Sequence, residues 1–377
     1  MIHRYTLHRL ASILSLFLCF NAGATENKYE LKKVISGINV PWGMVQLPDG
    51  NFLVTERSGK LFIADPKENK LALVKGVPEV DTGGQGGLLD VELHPNYTKN
   101  NYIYLSYSSD EGEGWGAHTA ILRAKLQDNE LTESKVLYKG SPNTQGGRHF
   151  GSRLEFDKKG YLFFSIGDRG ARDEFPQDIT QDAGKVYRIK DDGSIPKDNP
   201  FVGNSKAKSA IYSFGHRNPQ GMALNPDTGD IWIHEHGPRG GDEVNIIGKG
   251  KNYGWPKITY GINYSGTIIT KDTHQEGMEQ PVHYWDPSIA PSGMTFVTSE
   301  QYPEWKGHLL VGSLKFGYLV LCKLDGNKVV DTEILFKGIG RARNVKQMDD
   351  GYIYVATEGN GIIRIELATN DKKSSDD

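Results

Sequence analysis

The sequence predicts an all-β fold, a six-bladed β-propeller of four-stranded antiparallel blades. Two observations predict it: one hairpin pattern recurs six times, and a strand missing at one end of the chain is matched by a surplus strand at the other. A repeat of this kind decides the architecture before any single residue does. Four-stranded units arranged radially close on themselves and leave no long exposed sheet edge. A β-sandwich or a linear β-solenoid is the competing architecture, and neither explains the matched ends.

The six hairpins read "GMVQLPDGNFLVTE", "LLDVELHPNYTKNNYIYLSY", "SRLEFDKKGYLFFSIG", "GMALNPDTGDIWIHEH", "GMTFVTSEQYPEWKGHLLVGSL" and "VKQMDDGYIYVATE". Each is an alternating run, a polar turn and a second run rich in β-branched and aromatic residues, the composition that suits a pleated sheet. Third strands follow as "KLFIAD", "AILRAKL", "KVYRIK", "DEVNII", "YLVLCKL" and "IIRIEL". Fourth strands are clear in "LALVKG", "KVLYKG" and "EILFKG" and weaker in "SAIYSFG" and "PVHYW". The last unit stops after its third strand. The segment "YELKKVISG" before the first hairpin is the strand that would complete it and close the ring.

The totals agree with this reading and narrow the partners. Among 377 residues are 45 glycines, 18 tyrosines, 14 phenylalanines and 6 tryptophans, with few long stripes of helical period. Net charge is −3 with both signs mixed along the chain, so no basic stripe marks a nucleic-acid binder. Residues 1–24 read as a cleaved signal peptide: His3, Arg4, His8 and Arg9 precede "LASILSLFLCF" and then small residues ending at Ala24. The apolar run is too short for a stable membrane anchor across roughly 30 Å of hydrocarbon. A periplasmic or secreted protein is the expectation, with the propeller over 25–368 and a polar, disordered tail over 369–377. After cleavage Cys322 is the one remaining cysteine, so an internal disulfide is excluded.

The repeat also predicts where function lies. In an antiparallel blade the start of the first strand and the end of the second share one face of the ring. Before first strands stand "DTGGQGG" with Gln85, "GGRHFG" with His149, "GHRNPQG" with Arg217 and Asn218, and "GIGRARN" with Arg341 and Arg343. After second strands stand "GDRG" with Asp168, "HGPRGGDE" with Asp242 and Glu243, and "GSLKFG" with Lys315. These residues converge on one mouth of the channel, and polar groups on loops held by a rigid scaffold are the default site. His94 and His308 lie elsewhere and read as structural. Several arginines and a lysine held together call for an anion, because guanidinium forks match carboxylate or phosphate oxygens. Local neutralisation by Asp168 and Glu174 is the alternative.

Residues 234–256, "HEHGPRGGDEVNIIGKGKNYGWP", offer carboxylates and glycine-freed carbonyl oxygens at the same mouth. Such oxygens suit calcium, which takes about six to eight of them. A solvated polar loop explains the residues equally well. The chain has no CxxC or HExxH pattern that would favour zinc.

Taken together, "HGPRGGDEVNIIGKGKNYGWP", "GGRHFGSRL", "FGHRNPQG", "LLVGSLK" and "GRARNV" resemble the soluble sugar dehydrogenases that use pyrroloquinoline quinone (PQQ) and calcium, in their aldose sugar dehydrogenase branch. The resemblance covers nearly all of the expected mature chain and implies a six-bladed propeller. It implies oxidation of an aldose at its anomeric carbon to the lactone, hydride passing to calcium-bound PQQ, with an external electron acceptor. His149 matches the general base and Asp168 the acid that orients it. Arg217 and Asn218 match residues beside the quinone oxygens. Gln85, Lys315, Arg341 and Arg343 match cofactor contacts. Gly237 and Pro238 match carbonyl ligands of the calcium on the quinone, while Asp242, Glu243 and Tyr253 match a second calcium site. Tyr284 and Trp285 offer aromatic walls for a sugar, although they do not align with the family's substrate residues. The short loops between blades leave an open mouth and predict broad sugar specificity.

Two other classes compete. A propeller that only binds an anionic ligand would use the same basic mouth without turnover. A calcium-dependent lactonase would need a carboxylate-rich central cage, which a mouth of Arg and Lys does not supply.

Overall fold

The computed structural model describes residues 28–368, so the expected signal peptide over 1–24, the first three residues of the expected propeller segment and the expected tail over 369–377 lie outside the described residues. Twenty-four strands form six four-stranded antiparallel sheets. The first sheet takes Pro41–Gln46, Phe52–Glu56, Lys60–Asp65 and Lys70–Leu73 in that order. The next four sheets likewise follow chain order, ending with Pro291–Phe296 to Lys328–Leu335. In the sixth, Ala342–Gln347, Ile353–Thr357 and Gly361–Leu367 are joined by Tyr29–Ile35 as the outermost strand. The ring therefore closes by pairing the two ends of the propeller, Tyr29 opposite Leu367 and Leu31 opposite Ile365. Tyr29 anchors that closure: its ring lies 4.5 Å from that of Trp305, and its hydroxyl donates to Glu304 Oε2 at 2.8 Å.

First strands of successive blades touch one another all the way round, so they line the axis. Six apolar clusters fill the interfaces between blades, such as Leu53, Leu61, Leu105 and Leu122 between the first two. The strictly alternating pattern expected of the strands therefore survives mainly at the rim. Phe52–Glu56 is buried at every position, because a second strand has a neighbouring blade on both faces. Lys328–Leu335, at the perimeter, is mostly exposed.

His94 and His308 are structural, as expected. His94 Nδ1 accepts the Asn96 N–H at 2.9 Å beside the single described α-helix, Tyr97–Asn100, and His308 Nδ1 accepts the Leu324 N–H. Cys322 is buried and unpaired.

Candidate active site

The loops that enter first strands and leave second strands meet at one end of the axis. They enclose a cavity of about 650 Å³ lined by Trp42, Gln85, Asn218, Lys315, Arg341 and Arg343. A second cavity of about 450 Å³ holds His149, Asp168, Arg217 and Trp255, and shares Pro238 and Tyr264 with the first. The expected base thus stands beside the expected anion site.

His149 sits in a strained turn, with φ of 58°, a region that residues other than glycine seldom occupy. The turn is held from outside: the Gln85 side-chain oxygen accepts the His149 N–H at 2.9 Å, and Gln85 N–H donates to Gly147 O at 2.8 Å. A Cβ on Gly84 would overlap that Gly147 oxygen, so the two loops meet only because position 84 has no side chain. Gln85, expected as a cofactor contact, lines the first cavity and also fixes the base.

The His149 Nδ1–H donates to Asp168 Oδ1 at 2.6 Å, which leaves Nε2 as the free ring nitrogen. Burial lowers the imidazole pKa from its ordinary value; the Asp168 hydrogen bond opposes this, and the charges of Arg217 and Arg148 reinforce it. Burial pushes Asp168 up, but the His149 hydrogen bond and charge, Arg217 and the Gly170 N–H outweigh it, so the carboxyl is held below its ordinary range. A neutral imidazole beside an ionised carboxylate results.

Arg217 and Asn218 are buried. The Arg217 N–H donates to Glu235 Oε2 at 2.6 Å, and its guanidinium donates to the carbonyls of His236 and Gly237 at 2.9 and 2.8 Å. Asn218 Oδ1 accepts the Gly151 N–H at 3.1 Å and so ties the His149 loop to blade four. Arg341 and Arg343 converge on one residue that sequence reasoning passed over, Glu358, with Arg341 Nε–Oε2 at 2.6 Å and Arg343 Nη2–Oε1 at 2.5 Å. Glu358 follows the second strand of blade six, where Asp168 follows that of blade three, and that register was the available signal. In the alternative of local neutralisation by Asp168 and Glu174, Asp168 would pair with these cations; its oxygens instead serve His149, Gly170 and Trp255. Lys315 Nζ lies 4.9 Å over the Phe316 ring at the cavity wall.

The stretch 234–256 divides into parts with different work. Asp242 is fully enclosed, accepting from Gly237 N–H through Oδ1 and from Ser288 Oγ, Ile289 N–H and Ala290 N–H through Oδ2. Its expected role as a metal ligand is corrected: four donors occupy the carboxylate, which shapes the Gly237–Pro238 turn. The Tyr253 hydroxyl is likewise committed, donating to Ile246 O at 2.5 Å and accepting from Gly248 N–H, so only its backbone could ligate a cation. Glu243 remains. It shares Asn245 Nδ2 with Glu235, each at 3.2 Å, and burial followed by the Glu235 charge pushes its carboxyl up to about 8. Beside these carboxylates Asn245 Oδ1 is buried without a partner. An oxygen-only donor set with an orphaned acceptor fits a hard cation. Among the described residues no three His, Cys, Asp or Glu side chains are grouped for a metal, so carbonyl oxygens must complete any such site.

Tyr284 and Trp285 are corrected as sugar walls. They lie on His283–Trp285, the outermost strand of blade four. Trp285 is packed into the core between blades four and five, and Tyr284 stacks on Tyr260 at 3.9 Å; neither lines the two cavities. Strand alternation at the perimeter turns these two neighbouring rings to opposite faces of the blade rather than to the axis. The Phe, Tyr and Trp side chains that do line the mouth are Trp42, Phe150, Tyr264 and Trp255, and no local pattern distinguishes them from core residues.

A buried His–Asp pair thus opens beside a basic cavity on a six-bladed ring. The chain belongs to the Glucose / Sorbosone dehydrogenase family, whose model matches residues 38–364. It is 41% identical over 360 residues to the aldose sugar dehydrogenase YliI of Escherichia coli K12, covering 93% of this chain and 96% of that one. The apo-form crystal structure of the soluble aldose sugar dehydrogenase from Escherichia coli superposes with a TM-score of 0.85 at 39% identity, covering 90% of this chain and 100% of that one. The PQQ-bound aldose sugar dehydrogenase of Streptomyces coelicolor superposes with a TM-score of 0.74 at 26% identity, covering 92% and 100%.

Proposed function

We propose that this protein oxidises aldose sugars at the anomeric carbon to the lactone, using PQQ and calcium. The observation that carries the reading is His149, with Nδ1 fixed on Asp168 and Nε2 left free, in a cavity that adjoins the basic one. PQQ, when bound, supplies the two-electron acceptor, and calcium supplies positive charge that favours reduction of a quinone oxygen.

The chain's own residues do the rest. His149 Nε2 takes the proton from the C1 hydroxyl as the C–H bond breaks, and Asp168 stabilises the imidazolium so formed. Arg217, buried in the wall of the His149 cavity, places fixed positive charge where negative charge develops. Arg341, Arg343 and Lys315 would hold carboxylates of the cofactor, with Gln85 and Asn218 completing the cradle. Gly237 and Pro238 would present carbonyl oxygens to the catalytic calcium, and Glu243 with the Tyr253 carbonyl would hold a second one.

Further parts of the reading concern the surroundings. The two cavities join at Pro238 and Tyr264, an open mouth consistent with several sugars. Electrons would pass to an external acceptor. Export rests on residues 1–24, and no helix among the described residues is long and apolar enough to cross a membrane.

Dye-linked oxidation of an aldose panel, before and after addition of PQQ and calcium, tests the proposal. Activity that requires both and is lost in His149→Ala supports it. Cofactor binding without sugar oxidation would overturn the substrate class.

A further inference from the structure

The acid of the His–Asp pair has a third partner. The Trp255 indole Nε1–H donates to Asp168 Oδ2 at 2.9 Å, while Oδ1 receives His149 and the Gly170 N–H. Asp168 is 1% exposed, so Oδ2 has no water to replace that donor. A buried tryptophan in this fold does not always take a partner: the indole nitrogens of Trp232 and Trp305 are buried with none. The bond to Asp168 is therefore specific to position 255 rather than a general requirement of the core.

Position 255 is itself rigid. The Trp255 N–H donates to Gly215 O at 2.9 Å, and its carbonyl accepts from Gln177 Nε2 at 2.8 Å. Its ring centroid lies 5.4 Å from the Arg217 guanidinium carbon. One side chain thus touches the acid behind the base and flanks the arginine in the wall of the same cavity.

We infer that Trp255 is a positioning residue that acts through Asp168, orienting the carboxylate so that Oδ1 meets His149 Nδ1 and tempering the basicity of the imidazole. A donor on Oδ2 draws negative charge away from Oδ1, which weakens the pull on the His149 proton. Removing it makes the imidazole more basic and frees the carboxylate to rotate. The other charged groups facing His149 are Arg148 on its own loop, Arg217 from blade four, and Arg172, Asp173 and Glu174 beyond Asp168, and none of them is altered by the substitution.

The inference rests on the dehydrogenase reading for its kinetic arm alone. The test uses full-length protein and Trp255→Phe, which keeps an aromatic ring and removes the N–H. In the absence of cofactor, ¹⁵N NMR would follow the His149 ring and the Trp255 indole through pH. In the wild type the indole resonance should titrate with the His149 midpoint. In Trp255→Phe that midpoint should rise by about 0.5–1 unit, in keeping with loss of one charge-assisted hydrogen bond. With PQQ and calcium added, kcat should fall about tenfold with KM little changed, the acid limb of the profile moving up with the midpoint.

A flat indole resonance in the wild type would overturn the inference, as would an unchanged His149 midpoint in the variant. Should Trp255→Phe fail to fold, the wild-type titration decides by itself. Coupled NMR titrations without sugar oxidation would retain the positioning role and reject the dehydrogenase reading.

Discussion

The imidazole of His149 donates from Nδ1 to Asp168 Oδ1 at 2.6 Å across two loops of blade three, and this one contact fixes which nitrogen faces the cavity. Replacing His149 with Ala should lower kcat by roughly 10²–10⁴, the usual contribution of a positioned base, with PQQ binding retained. Steady-state kinetics beside fluorescence titration of the cofactor would check both halves. Loss of binding together with turnover would instead make His149 part of the cradle.

The pH dependence follows from the direction of the His149 shift. A general base works as the neutral imidazole, and burial lowers its pKa below the ordinary 6.5. Activity should therefore be flat near pH 7 and fall only as pH drops through that lowered value. A kcat/KM profile between pH 4 and 9 tests this, and an acid limb centred above 7 would contradict it.

Glu358 holds Arg341 and Arg343 at the wall of the larger cavity. Arg343→Ala should weaken PQQ binding by about ten- to a hundredfold, because one charge-assisted partner is lost and the Glu358 charge close by is then balanced by Arg341 alone. Isothermal titration of the cofactor measures it. An unchanged affinity would place the cofactor carboxylates elsewhere.

Glu243, the Tyr253 carbonyl and the unpartnered Asn245 Oδ1 are the donors proposed for the structural cation site. At a hundred times its dissociation constant, calcium should stabilise the fold by about 2.7 kcal/mol through mass action. Glu243→Gln should abolish most of that gain while leaving the metal-free protein folded. Thermal melts with calcium and with chelator read the difference directly.

At the axis, Arg153 donates to Asp90 Oδ1, Gln220 O and Arg343 O and is 3% exposed. Arg153→Ala should cost about 3–5 kcal/mol, since it strands the Asp90 charge in the channel. The urea midpoint would show it, and a loss below 1 kcal/mol would mean that water fills the gap.

The sequence by itself determined the ring. Six hairpins, their third and fourth strands and the surplus strand at 29–37 are local signals, written in turn residues and apolar runs, and closure follows because a blade without its fourth strand leaves an edge. It also determined which loops share a face, because antiparallel order fixes that without coordinates; hence His149, Asp168, Arg217, Lys315, Arg341 and Arg343 were legible.

Tertiary structure decided which polar atoms are free. Asp242 and Glu243 are neighbours in sequence and similar in chemistry, yet four donors enclose the first while the second faces Glu235 and an orphaned amide oxygen. Glu358 and Trp255 gained their roles from partners 15 to 87 positions away. Tyr284 and Trp285 lost theirs because they lie on an outer strand, and distance from the axis is a property of the assembled blade. A side chain's type is local, whereas its burial and its hydrogen-bond partners depend on segments brought together only when the ring closes.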